Sequence, residues 1–79
     1  MNLHDATLVG ITLDWAAGQL TMELQTATGP TAIRASGVTG VEVPRHQPWG
    51  PSVSVNEVRL GDERLEIEMQ SGDRLVVEA

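Results

Sequence analysis

Two histidines, scattered carboxylates and two serines beside a proline-rich run are the residues of this chain whose chemistry goes beyond packing. His4 precedes Asp5, and an imidazole next to a carboxylate is the raw material of general-base catalysis. Adjacent residues of an extended segment point to opposite faces, however, so the two are expected to stand apart. Asp5 is then expected to cap the start of the first strand through its own backbone. His46 follows Arg45, far from His4 along the chain. No H-x-H or H-x-x-x-H spacing is present, so no metal site and no cofactor is expected. Gly50-Pro51-Ser52-Val53-Ser54 is not a G-x-S-x-G elbow, which needs glycine two residues after the serine and a helix beyond it. Glu66 and Glu68 share one strand face, which reads as a solvated face rather than a glycosidase pair. Gly37-Val38-Thr39-Gly40 lacks the third glycine and the helix of a phosphate cradle. The enzymatic alternative is a small hydrolase-like or metal-assisted site using His4 or His46 with a carboxylate.

The strongest local signal is Pro44-Arg45-His46-Gln47-Pro48-Trp49-Gly50-Pro51-Ser52, with three of the four prolines. Proline has a fixed φ and no amide donor, so this density cannot lie inside a sheet. The segment reads as a stiff loop that displays an aromatic ring and a cationic pair. Two roles are open to Trp49. It plugs one end of the fold, supplying volume to a core that has no Phe or Tyr, or it anchors a partner. The candidate binding set is Arg45, His46, Trp49 and Ser52, with Trp49 as the apolar anchor and Arg45 as the polar one. No catalytic residue is assigned.

Around that loop the chain alternates apolar and polar residues with a period of two, the mark of half-buried strands. Val9, Ile11, Leu13 and Trp15 fall on one side of a first strand, and Trp15 reads as a core or cap residue. Leu20, Met22 and Leu24 form a second strand. Thr31 to Ala35 form a third, with Ile33 inward and Arg34 outward. Val41 and Val43 straddle Glu42 in a weaker segment. After the loop, Val53 and Val55 alternate, and the phase then slips to Val58 and Leu60, which predicts a β-bulge near Asn56-Glu57. Leu65, Ile67 and Met69 follow, and Ser71-Gly72-Asp73 turns into Arg74 to Ala79. No segment carries a helical period.

Residues 20–26 match residues 65–71 without a gap: Leu-Thr-Met-Glu-Leu-Gln-Thr against Leu-Glu-Ile-Glu-Met-Gln-Ser. The same alignment lays Leu13 on Val58, Trp15 on Leu60 and Thr7 on Ser52. The reading is two pseudo-repeated three-stranded meanders, with residues 37–51 as the link, although any two amphipathic hairpins resemble each other. Two apolar faces would bury against each other. The expected fold is all-β: a small six- to seven-stranded antiparallel sandwich or partly open barrel, one domain over residues 1–79.

The formal net charge is −6, with eleven acidic residues against five basic ones, and there is no cysteine. An acidic surface repels phosphate, which argues against nucleic acid and against an anionic membrane. It suits solubility and a basic protein partner instead. The N-terminus lacks the charged and apolar regions of a signal peptide, so a cytoplasmic, bacterial-type protein is expected. A homo-oligomer is expected as well, because the core is small and Leu75-Val76-Val77 is apolar on both faces of its strand.

Leu3-His4-Asp5-Ala6-Thr7-Leu8, with Ile11, Asp14 and Gly18, resembles the start of several families of short bacterial β-rich proteins. Some of these are grouped with immunity proteins of contact-dependent and polymorphic toxin systems. The resemblance covers about the first quarter of the chain. It implies a non-catalytic, partner-binding role and transfers no functional residue.

Overall fold

The computed structural model describes residues 3–46 and 53–79. Its strands are β1 (Thr7–Asp14), β2 (Gln19–Thr26), β3 (Gly29–Ala35), β4 (Gly40–Glu42), β5 (Val55–Leu60), β6 (Arg64–Met69) and β7 (Arg74–Glu78). All pairings are antiparallel, in one sheet ordered β1-β2-β3 and another ordered β4-β7-β6-β5. No described residue lies in an α-helix, and no helix among the described residues is long and apolar enough to cross a membrane. The fold is the expected all-β one, a two-layer sandwich rather than a closed barrel.

Alternation decides which residues make the core. Leu20, Met22 and Leu24 of β2 face Leu65, Ile67 and Met69 of β6 and Leu75 and Val77 of β7 within one apolar cluster. Val55, Leu3 and Ala6 complete it at one end, and Ile33, Val41 and Val58 pack against its sides. Val76 points to the other face of β7 and is still only 7 % exposed. Its cross-strand neighbours are Glu42 and Glu66. The apolar character of both faces of β7 is therefore met inside the chain, and Val76 supplies no separate reason for a second copy.

The two meanders correspond, but not in the gapless register. Leu20 and Leu65 are both buried, as are Met22 and Ile67, so β2 matches β6 as expected. The first strands match two residues later than the alignment places them. Leu13 pairs with Leu20 as Leu60 pairs with Leu65; Ile11 pairs with Met22 as Val58 pairs with Ile67; Leu8 pairs with Leu24 as Val55 pairs with Met69. Six residues separate Leu13 from Leu20 and four separate Leu60 from Leu65, so one turn is two residues shorter. Each first strand also breaks register at the same place, between Leu8 and Gly10 and between Val55 and Glu57. The second bulge is the one the phase slip predicts. The sheets meet at an isolated bridge between Thr7 and Ser54, which are equivalent residues in this register. A residue bridged antiparallel to its own equivalent lies on a two-fold relation between the halves.

The bulge corrects the expected inner face of β1. Val9 is the extra residue, so Leu8 rather than Val9 turns inward, and Val9 is 65 % exposed. Ile11 and Leu13 remain on the core side but line an edge and stay exposed. Trp15 is 88 % exposed in the β1–β2 turn and is neither core nor cap.

Candidate functional site

The N-terminal polar cluster is the first place to look for chemistry. Asp5 has φ 68°, the one positive value at a non-glycine residue among those described. The Ala6 amide donates to the Leu3 carbonyl at 3.0 Å, so residues 3–6 form a tight turn. This turn overturns the expectation that His4 and Asp5 stand apart: His4 Nε2 lies 3.5 Å from Asp5 Oδ1. The His4 Nδ1–H donates to the Asn56 carbonyl at 2.9 Å, which directs Nε2 towards the carboxylate. Gln70 Nε2 donates to the same Asp5 oxygen. The Asp5 amide donates to the Val55 carbonyl, and the Val55 amide donates to the Ala6 carbonyl, both at 2.8 Å. The partners beyond this turn are Val55 and Asn56, at the start and bulge of β5, and Gln70, the residue after β6. The arrangement fastens the chain start to β5 and β6 at the junction of the sheets.

The network continues onto the outer face of the second sheet. Asn56 Nδ2 donates to Glu68 Oε1 at 2.7 Å, and Arg74 lies 3.4 Å from Glu68 Oε2. The Asn56 amide hydrogen bond first, and the Arg74 one second, hold the Glu68 carboxyl below its ordinary range. A carboxylate depressed in the folded state stabilises it above the unfolded value, and that contribution is lost as pH falls through the folded value. Glu68→Gln should therefore flatten the acid limb of stability below the ordinary glutamate range. Urea midpoints measured against pH for both proteins check this; parallel acid limbs would contradict it.

The sequence-assigned binding residues divide. Arg45 and His46 are described, and both are exposed. Trp49 and Ser52 lie outside the described residues, as does the rest of 47–52. The ion pairs among the described residues include His4 but not His46, and no group of three or more described His, Asp or Glu residues is placed to hold a metal.

Arg45 stands at a groove between the β1 edge and the second sheet. Val9, Ile11, Val43 and Val53 line it, with Met69 and Leu75 at its floor. The bulge creates this site, because it moves Val9 out of the ladder and turns the β1 rim outward. Leu13 and Trp15 extend the rim beside Val38 and Gly40. Beyond the Thr7–Ser54 bridge, the β1 edge away from β2 pairs with nothing described. Residues 7–13 of this edge carry no charge. Glu42 marks β4, Glu57 and Arg59 mark β5, and β3 has Pro30 near its start, with Arg34 as the only charge over Ile33–Ala35. Charges and proline are the ordinary means of blocking edge pairing, and β1 has only Asp14, at its last position. Sequence reasoning missed this rim because it gave β1 a regular alternation. Gly10 inside the strand was the available signal, since glycine there often marks a bulge.

Comparison with family models, with curated proteins and with solved structures gives no match to this chain.

Proposed function

We propose that the chain is a non-enzymatic module that recognises a partner protein along the β1 rim, with Val9, Ile11 and Leu13 as apolar contacts and Arg45 as the polar one. Pro44, Arg45 and Val53, the described residues at the two ends of the segment assigned to binding from the sequence, line this groove. Inhibition of a toxin, of the kind immunity proteins perform, is one instance of such recognition. The observation that carries the reading is a strand edge that is uncharged over residues 7–13, has no strand partner beyond Thr7 among the described residues, and is flanked by exposed aliphatic side chains. Contiguous apolar surface of this kind marks interaction sites. An extended partner segment would supply the missing hydrogen bonds, while alternate pockets would read its side chains.

A photo-crosslinking residue at Val9, in the native host, should give one discrete adduct with a different protein. Moved to Glu23, on the solvent face of β2, the same probe should give none. Val9→Lys should weaken binding of the recovered partner by about 30-fold, the loss of one hot-spot contact, and leave the thermal melt unchanged. Adducts only with the chain itself, or equal yields from both positions, would defeat the reading.

A further inference from the structure

The two-fold relation between the halves exposes an asymmetry that local contacts conceal. In the second half, the outer edge of β7 is covered by β4: Val41 pairs with Val77, Glu42 with Val76 and Gly40 with Glu78. In the first half, β3 stands where β7 stands in the second. Met22 pairs with Ile33 as Ile67 pairs with Leu75, and Leu20 pairs with Ala35 as Leu65 pairs with Val77. Ile33, Arg34 and Ala35 are thus the equivalents of Leu75, Val76 and Val77. Among the described residues nothing pairs with the outer edge of β3.

The groove beside that edge shows what the absent strand would cover. Ile33, Ala35, Val58 and Leu60 line it. Leu60 is 82 % exposed, whereas its equivalent Leu13, which has Val38 and Gly40 nearby, is 42 % exposed. Arg34 lies on the solvent side of this edge and has no ion pair among the described residues.

We propose that the β3 edge is a second binding site, distinct from the β1 rim, and that its occupant is an extended segment of a partner protein, apolar at alternate positions with an acidic residue between them. The chain's own β4 is the template. Laid antiparallel on β3 as β4 lies on β7, such a segment sets its acidic residue, the counterpart of Glu42, opposite Arg34. Opposite charges directly across a ladder stabilise it, and a carboxylate there meets the one position on this edge that carries a positive charge. The flanking apolar residues, counterparts of Val41 and Val43, fall on the side of Ile33, Val58 and Leu60. In a second copy β4 is already held by β7 on one side and has only its outer edge to offer, and the titration below distinguishes a second copy from a different protein.

The probe is a synthetic peptide with the sequence of residues 38–43, Val-Thr-Gly-Val-Glu-Val, titrated into the intact protein and followed by amide and methyl NMR. Saturable shifts are expected at Ile33, Arg34, Ala35 and Leu60, and none along Val9–Leu13. Replacing the peptide glutamate with lysine should weaken binding about fivefold, a charge attraction exchanged for a repulsion. Arg34→Glu in the protein should restore the lysine peptide and weaken the original one. Leu60→Ser, at an exposed position, should weaken both peptides without altering the melt. Shifts at Val76–Glu78 instead would mean that the peptide displaces β4, and would overturn the proposal. So would the absence of saturable shifts, or concentration-dependent shifts of β3 in the protein alone, which would make a second copy the occupant.

Discussion

Met22→Ala and Ile67→Ala should each destabilise the protein by about 2–5 kcal/mol, the usual cost of emptying a fully enclosed aliphatic site. Both side chains have no exposed surface. They occupy equivalent central positions, Met22 between Ile11 and Ile33 and Ile67 between Val58 and Leu75. A chain of 79 residues has a total stability of roughly 4–12 kcal/mol, so either loss is a large fraction of the whole. Leu60→Ala should change stability by less than about 0.5 kcal/mol, since little of that side chain leaves water on folding. Urea unfolding with a common slope measures all three. A cost below about 1 kcal/mol at Met22 or Ile67 would mean that the two faces do not pack against each other there.

These positions were also the easiest to read from the sequence. A strand with a neighbour on both sides in its sheet and a packed layer against one face shows clean alternation, and β2 and β6 are such strands. The edges were harder. β1 was read as regular, and the extra residue at Val9 moved its apolar side chains to the rim and left Trp15 in solvent. The corresponding bulge in β5 was legible because its extra residue, Asn56, is polar and breaks the pattern visibly. At Val9 the extra residue is apolar, so the pattern continues unbroken while the geometry changes. The pairing of His4 with Asp5 was hidden for another reason. It depends on a single left-handed residue, and aspartate at such a position leaves no periodic trace. The two-residue difference between the β1–β2 and β5–β6 turns was likewise invisible, because the best-matched segments, 20–26 and 65–71, lie after those turns.

The two proposed binding surfaces follow from the same edge effects. Fold-level patterning fixes which side chains are buried. What a small sandwich offers to a partner is set by how its outer strands end, bulge or lack a neighbour. The Thr7–Ser54 bridge closes one corner, β4 covers one edge, and among the described residues the β1 rim and the β3 edge have no further strand partner. Recognition as proposed along these edges would use backbone hydrogen bonds for affinity and a few apolar and charged side chains for choice.

The two-fold relation carries the second large expectation, the complete loss of folding in either half alone. A fragment of residues 1–37 holds β1–β3 and exposes Leu20, Met22 and Leu24 on an uncovered face. Three short strands of this kind bury too little apolar surface to offset the loss of conformational entropy, and chains below about 40 residues seldom fold without a metal, a disulfide or a partner. The fragment of residues 38–79 holds β4–β7 and meets the same deficit, because its partner face is the other half. Each fragment should give a disordered far-UV spectrum at micromolar concentration. Mixed one to one, they should regain the β spectrum, since the described contacts between halves run through side chains, the short ladder at Thr7 and Ser54 and the Val38–Gly18 backbone hydrogen bond rather than through a continuous sheet. The affinity of the two fragments then measures the packing of the two layers directly. Met22→Ala in one fragment and Ile67→Ala in the other should each weaken that affinity by about 30-fold or more, the lower end of the stability loss expected for the intact chain. A fragment of residues 1–37 that folds as a monomer would remove the basis of this account, because its β-face would then be stable without the layer that is meant to cover it.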